Sequence, residues 1–432
     1  MSTESPEEFA HNLERLLGKK PQPRPSDNNA AIDLRKGGDL HGSYHYVESD
    51  EASSNGDVFN TPSDTNSSDQ DFGIDAKYPQ DDTGILDIRA SGKDMNLGPQ
   101  IRAGLQKTDY HGHRVFPSML LWNEQGLKYF EDVTYTPEYY LTNAEISLLE
   151  AHSHEIAKQL APGAILLELG SGNLRKVGIL LNAIDALGTP AEYYALDLDR
   201  NELERSLREL GANKYKHVRC HGLLGAYEDG RTWLAMMENA QKPRCVLSLG
   251  STLGSFSRPE AGQFLGEWSC TLQPSEDKQS ANHSGVPPYS DDVRIIVGLD
   301  ACKDGERVFK AYNDKPGANK RFIMNAIEHA NYHLCYNAFN PSDWTVQGEW
   351  DAENGRHDQY LVPLKDVKFE GTRLPKGELI FLVHSHKYDK AEKDDLWDCA
   401  QLNEKHSYMN DDGSYGMYST PSLCHVRTQR SC

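Results

Sequence analysis

The 432-residue chain has no run of about 18 apolar residues, so it offers no helix to span a bilayer. It has no Cys-x-x-Cys pair and no zinc-type spacing. Its eight cysteines stand far apart, at Cys220, Cys245, Cys270, Cys302, Cys335, Cys399, Cys424 and Cys432, which reads as a reducing compartment. It has no excess of base: the formal net charge is −20. That balance argues against nucleic acid and anionic membrane as partners. The opening "MSTESPEEFAHNLERL" lacks the apolar stretch of a secretory leader, so a cytoplasmic location is expected. Apolar residues make up only 38 % of the chain.

That deficit is local. Residues 1–82 are rich in Ser, Asp, Asn and Pro and hold 17 acidic and 7 basic residues, half of the net charge. Such a segment buries too little apolar surface to offset its chain entropy, and a disordered acidic tail is expected. Within it, Pro6 to Leu17 sets Phe9, Leu13, Leu16 and Leu17 on one helical face. A helix this short is marginal in isolation, and no role is expected of it. The sequons at Asn66 and Asn282 read as chance.

From Gly84 the composition becomes globular, leaving about 350 residues for a sizeable core. Strand-like runs at 164–169, 191–198, 216–223, 244–250 and 293–301 alternate with helical patterns at 174–187, 200–210 and 260–272. This alternation predicts a parallel sheet with helices on both faces. Residues 97–160 read as largely helical, with Asn143 as an N-cap. Residues 273–292 read as a polar loop. Residues 359–371 and 378–389 read as strands of a small lid, and 413–421 as a final strand.

The stretch "ILLELGSGNLRK" (165–176) ends a buried strand in glycine. Glycine there permits strained backbone and close approach of a ligand. Neither phosphate-binding pattern fits: no third glycine follows Gly170 and Gly172, and Lys176 follows Arg175 rather than glycine. Asp197 stands about 25 residues further on, where a carboxylate grips a ribose diol. An E-x-G-x-G loop with such an acid is the layout of S-adenosylmethionine enzymes.

Six blocks sharpen this: "TPEYYLTNAE" (136–145), "LLELGSGNLRKV" (166–177), "YYALDLD" (193–199), "LSLGSTLGSFSRPEA" (247–261), "GLDACKD" (298–304) and "AYND" (311–314). Together they resemble the histidine-specific S-adenosylmethionine-dependent methyltransferase family. That family includes ergothioneine-pathway histidine Nα-methyltransferases and fungal dimethylallyltryptophan N-methyltransferases. The resemblance runs from Leu86 to Tyr388. It implies an α/β fold: a Rossmann-like sheet with a second, smaller α+β substrate domain. The division expected is an acidic tail (1–82), a methyltransferase domain (83–310), a substrate-binding lid (311–420) whose last strand returns to the core, and a tail (421–432).

Carried over, the resemblance makes Tyr139 the tyrosine at the junction of both ligands. Gly170, Lys176 and Asp197 become contacts of the methyl donor, Lys176 meeting its carboxylate. Gly222 and Leu223 fall where the family holds adenine, although the family can use an acid there and this chain has none. Tyr312 becomes the contact of the substrate carboxylate. Tyr139 and Tyr312 are the expected catalytic pair, orienting amine and carboxylate.

Two positions depart from the family. Its "GSTIGN" block ends in an asparagine that binds the substrate's amino-acid head, and here the residue is Ser255. Histidine-specific members carry a glutamate two residues before a serine. Here Ser385 and Lys387 match, but the glutamate position is Val383, which cannot pair with an imidazole N–H. The lost pairing argues for an apolar or aromatic acceptor.

The expectation is therefore an S-adenosylmethionine-dependent N-methyltransferase acting on a small-molecule amine: an amino acid or an aromatic, amino-acid-derived alkaloid intermediate. It uses no metal and works as a monomer. Two rivals stand beside it: histidine Nα-methylation, and an inactive binding protein. The histidines 111, 113, 384 and 386 read as surface residues rather than metal ligands.

Overall fold

The computed structural model describes residues 83–90, 96–108, 112–272 and 292–421. The acidic tail, the Pro6–Leu17 segment, both sequons, His111, nearly all of the polar loop and the C-terminal tail beyond Pro421 lie outside the described residues.

Fourteen strands and eleven α-helices are described. The strands are β1 (Ile85–Asp87), β2 (Arg114–Val115), β3 (Ala164–Leu169), β4 (Ala191–Asp197), β5 (Val218–Leu224), β6 (Arg244–Ser248), β7 (Val293–Asp300), β8 (Trp344–Asp351), β9 (Arg356–Pro363), β10 (Val367–Phe369), β11 (Thr372–Leu374), β12 (Ile380–His386), β13 (His406–Met409) and β14 (Tyr415–Pro421). The helices are α1 (Gly98–Gln106), α2 (Glu124–Thr134), α3 (Tyr140–Ala157), α4 (Val177–Ala186), α5 (Arg200–Leu210), α6 (Tyr227–Leu234), α7 (Met237–Ala240), α8 (Arg258–Leu272), α9 (Gly305–Tyr312), α10 (Ala318–Leu334) and α11 (Lys390–Ala400).

Eight strands form the main sheet in the order β1-β5-β4-β3-β6-β7-β14-β13. β1, β5, β4, β3, β6 and β7 run parallel, and β14 pairs antiparallel with β7. This is the doubly wound α/β arrangement that the alternating pattern predicts. β3 is covered on both faces. Leu166 belongs to one apolar cluster and Ile165 and Leu167 to the other, all three fully buried. That two-sided burial is why "AILLEL" is continuously apolar up to its glutamate.

The chain order turns back at β3 and β6, which places the ligand crevice outside their carboxyl ends. The sequence shapes the helices that frame it. Asp199 caps α5 by accepting from the Glu202 amide at 2.9 Å, and Gly211, at φ 66°, ends it in the left-handed region. Asp304 caps α9, whose last residue is Tyr312. Asp314 then accepts from the Ala318 and Asn319 amides at 2.7 and 2.8 Å to start α10.

A second sheet, β2-β12-β9-β8, stands beside α9 and α10, with β10 and β11 as a small hairpin. β12 runs antiparallel to β9, and their register shifts between Phe381 and Val383. Opposed residues share a face. Val383, Ser385, Gln359 and His357 therefore lie on one face, and His384, His386, Asp358 and Arg356 on the other.

Three sequence expectations need correction. Asn143 is not an N-cap. α3 begins three residues earlier, at Tyr140, because Tyr140, Leu141 and Thr142 are all buried, and packing outweighs capping preference. His386 is not a surface residue: it is 3 % exposed. Cys399 is disulfide-bonded, against the all-reduced reading of the cysteines, whereas Cys220, Cys245, Cys302 and Cys335 are free thiols.

Candidate active site

The turn after β3 is built from left-handed residues: Gly170 at φ 61°, Gly172 at 54° and Leu174 at 51°. The Gly170 and Ser171 amides both donate to the Leu196 carbonyl, at 3.1 and 3.3 Å. The Gly172 amide donates to Asp197 Oδ2 at 3.3 Å, and the Leu198 amide to Asp197 Oδ1 at 2.7 Å. Loop and acid thus form one unit at the ends of β3 and β4. Burial pushes the Asp197 carboxyl up to about 6, against the pull of those two amides. The buried Ser171 hydroxyl has no hydrogen-bond partner. A Cβ on Gly170 would lie 2.9 Å from the Tyr227 hydroxyl, so the glycine leaves room between turn and α6.

Lys176 ends this turn. Its Nζ stands 2.8 Å from Glu145 Oε2, and Glu145 is fully buried on α3. The same carboxylate accepts from the Gly250 amide at 2.8 and 2.9 Å and from the Tyr415 hydroxyl at 2.9 Å. The loops after β3 and β6 are therefore tied together across the crevice by one acid. Deeper, Tyr193 donates to Glu168, whose carboxyl burial raises to about 7.

A second cluster joins β7, α9 and β12. Lys387 and Asp300 form an ion pair at 2.7 Å with both side chains fully buried. Lys387 Nζ also donates to the Tyr312 hydroxyl at 2.9 Å and to Ser385 Oγ at 3.0 Å. Tyr312 and Ser385 exchange a hydrogen bond at 2.6 Å, and the Tyr140 hydroxyl donates to Asp300 Oδ2 at 2.7 Å. Tyr139 meets Tyr312 edge-to-face, ring centres 5.8 Å apart. His357 stacks on Tyr312 at 4.7 Å, and burial lowers it to about 3, so its ring is neutral. Burial raises both tyrosines, so both stay protonated phenols at neutral pH.

The structure thus brings Tyr139, Tyr312 and Ser385 together, and Gly170 with Asp197. Lys176 bridges to Gly250 through Glu145. Val383 is half-buried on the Ser385 face, directly opposite Gln359. Ser255 is exposed and its hydroxyl donates to the Thr252 carbonyl at 2.8 Å. Its neighbour Gly254 abuts the backbone of His386, where a Cβ would come within 2.8 Å of the carbonyl oxygen. Gly222 and Leu223 lie inside β5, both buried. They pair with Ala195 and Leu196, and Leu224 is the residue level with Asp197.

Sequence reading passed over Glu145, Tyr227, Asp300, His357 and Gln359. Glu145 and Asp300 stand within the 136–145 and 298–304 blocks, but nothing in a helical glutamate or a strand-end aspartate announces its partner. Among the described residues no group of three His, Cys, Asp or Glu side chains is placed to hold a metal ion. No described helix is long and apolar enough to cross a membrane.

A glycine turn and a strand-end acid on a doubly wound sheet, linked through Gly250 and Ser251 to a buried tyrosine cluster, define a methyltransferase-like α/β protein. A family model for histidine-specific, S-adenosylmethionine-dependent methyltransferases matches residues 97–421, and the chain belongs to that family. Ergothioneine biosynthesis protein 1 of Neurospora crassa is 42 % identical over 322 residues, 74 % of this chain and 34 % of that protein. The chain thus spans about a third of that relative's length. The N-methyltransferase imqF of Aspergillus flavus is 31 % identical over 353 residues, 79 % of this chain and 90 % of that one. The 4-dimethylallyltryptophan N-methyltransferase easF of Claviceps purpurea is 31 % identical over 331 residues, 72 % of this chain and 91 % of that one. Among solved structures, the magnesium protoporphyrin IX methyltransferase of Synechocystis matches at 9 % identity, TM-score 0.34, over 69 % of this chain and 94 % of that chain.

Proposed function

We propose that the protein is an S-adenosylmethionine-dependent N-methyltransferase acting on the amine of an amino acid or amino-acid-derived alkaloid intermediate with an aromatic side chain. The observation that carries the reading is that two clusters are joined through the loop after β6, where the Gly250 amide donates to the Glu145 that holds Lys176 and Ser251 Oγ accepts from the Asp300 amide. One is a glycine turn with an unpartnered Ser171 hydroxyl, an exposed Gly170 and the Asp197 acid. The other is the Tyr139–Tyr312–Ser385 group held by Lys387.

The residues fit the donor. Gly170 and Gly172 leave room for its amino-acid part and sugar, Asp197 accepts from its ribose hydroxyls, and Lys176 faces its carboxylate. Gly222 and Leu223 back the adenine side from within β5. Bound S-adenosylmethionine supplies a methyl group on a positive sulfonium, which a nitrogen lone pair takes in line.

The protein's own part is positional. Holding the amine close and aligned contributes about 7–11 kcal/mol. Burial beside positive charge lowers an amine's pKa, so no strong base is needed. Tyr139 orients the amine and Tyr312 the carboxylate, and their faces suit positive charge. Ser255 and Ser385 complete the grip on the amino-acid head. Val383 leaves an apolar wall for the side chain. The same reading takes residues 83–310 as mainly the donor half and 311–420 as mainly the acceptor half, with β2 crossing into the second sheet and β13 and β14 returning to the main one. It also takes the enzyme as monomeric, cytoplasmic and independent of metal.

Calorimetric titration with S-adenosylhomocysteine tests the donor. Mass spectrometry after incubation with S-adenosylmethionine and histidine, tryptophan, tyrosine or dimethylallyltryptophan tests the acceptor. Methylated aromatic products support the reading. Failure to bind the donor product, or histidine as the sole acceptor, overturns it.

A further inference from the structure

We propose that Glu145 is the positioning residue that sets Lys176 for the donor's carboxylate and makes donor affinity depend on that carboxylate. The inference rests on the donor reading above.

Glu145 is fully buried yet ionically paired, and both its oxygens are engaged: Oε2 with Lys176 Nζ at 2.8 Å, Oε1 with the Tyr415 hydroxyl at 2.9 Å, and both with the Gly250 amide. Three separate segments converge on it: the donor turn, the loop after β6 and the penultimate sheet strand β14. The sequence keeps space for it. A Cβ on Gly298, in β7, would come within 2.1 Å of Glu145 Oε1. A Cβ on Gly250, which sits at φ 74°, would come within 2.7 Å of Lys176 Nζ.

A lysine on a surface turn samples many rotamers, and each bond it makes must offset that freedom. Lys176 does not sample them freely. Its side chain is only 20 % exposed, with the ammonium anchored on one side by Glu145. An ammonium carries three N–H groups. Anchoring one on Glu145 leaves the others for a ligand carboxylate at the mouth of the Gly170 turn. The buried acid also prevents Lys176 from standing as an uncompensated charge before the donor arrives.

A structural strut and a positioning residue differ in what they do to ligands with and without a carboxylate. The test compares S-adenosylhomocysteine with 5′-methylthioadenosine, which keeps the adenosine and sulfur but lacks the amino-acid tail. In Glu145→Gln, S-adenosylhomocysteine binding should weaken about tenfold or more, the scale of one charged hydrogen bond. Methylthioadenosine binding should stay within about twofold. Lys176→Met should show the same selective loss, and the double variant should lose little more than either single one. Equal weakening of both ligands, or no weakening, overturns the inference. If Glu145→Gln does not fold, Glu145→Asp, whose carboxylate is withdrawn by one methylene, is read by the same comparison. A wild-type protein that binds neither ligand refutes the donor reading instead.

Discussion

Val383→Glu asks whether one side chain sets the acceptor. Val383 is half-buried, shares a sheet face with Ser385 and lies opposite Gln359. Ser385 is in turn 2.6 Å from the Tyr312 hydroxyl. A glutamate here presents a carboxylate to whatever side chain projects past Tyr312 and Ser385. For histidine it gains a charged hydrogen bond to the imidazole N–H, worth about 1.5–3 kcal/mol. At about 1.4 kcal/mol per decade, kcat/KM for histidine should rise roughly 10- to 100-fold. For an apolar aromatic ring the carboxylate is desolvated without a partner, and kcat/KM should fall about tenfold or more. The assay is initial-rate methyl transfer to histidine and to tryptophan or dimethylallyltryptophan at saturating donor. Histidine turnover that does not rise, or a wild-type enzyme already preferring histidine to every aromatic acceptor, refutes the reasoning.

Other perturbations test other parts. Tyr312→Phe removes a hydroxyl bonded to both Lys387 and Ser385. Acceptor KM should rise about tenfold, with about 1–3 kcal/mol lost from unfolding stability measured in denaturant. An unchanged KM removes Tyr312 from the substrate grip. Asp197 is raised from its ordinary 3.8 to about 6, with Glu202 and Asp199 adding to the effect of burial. Its neutral form is therefore favoured in the fold, so its contribution to stability declines as pH rises from about 4 to about 6. Gripping ribose hydroxyls requires the ionised form, so donor-product affinity should fall by up to about tenfold per pH unit below 6. Asp197→Asn should weaken binding and flatten that profile in calorimetry, although Glu168, near 7, also titrates nearby. Gly298→Ala places a methyl against Glu145 and Tyr415. It should cost about 1–3 kcal/mol in chemical denaturation; a neutral substitution would contradict the packing described for Glu145.

Much of the sheet is legible in the chain. "AILLEL" is apolar at successive positions because β3 is covered on both sides, and the glycines after it sit at positive φ because the chain must turn there. Tyr139 and Tyr312 are readable only through their motif blocks, since a tyrosine at a helix boundary has no distinctive pattern. What is not legible is pairing across distance. Asp300 and Lys387 look like two ordinary charges, and only the approach of the segment after β12 to the end of β7, where the Tyr388 amide donates to the Asp300 carbonyl, makes them a buried ion pair. Glu145 sits in a helix where glutamate is common, and its burial depends on Gly298 lacking a side chain. Asn143 misleads for the opposite reason: its local capping preference is real, but Tyr140 and Leu141 extend the helix past it by packing into the core. Gln359 stands opposite Val383 only because of the register between β9 and β12, including the shift after Phe381.

The most direct measurement is mass spectrometry of the purified protein incubated with S-adenosylmethionine and a panel of histidine, tyrosine, tryptophan and dimethylallyltryptophan. The account predicts methyl groups added to the amine of an aromatic member of the panel, with histidine left largely unmodified. Methylation of histidine alone would contradict the argument from Val383, and no methylation of any amine would contradict the account at its root.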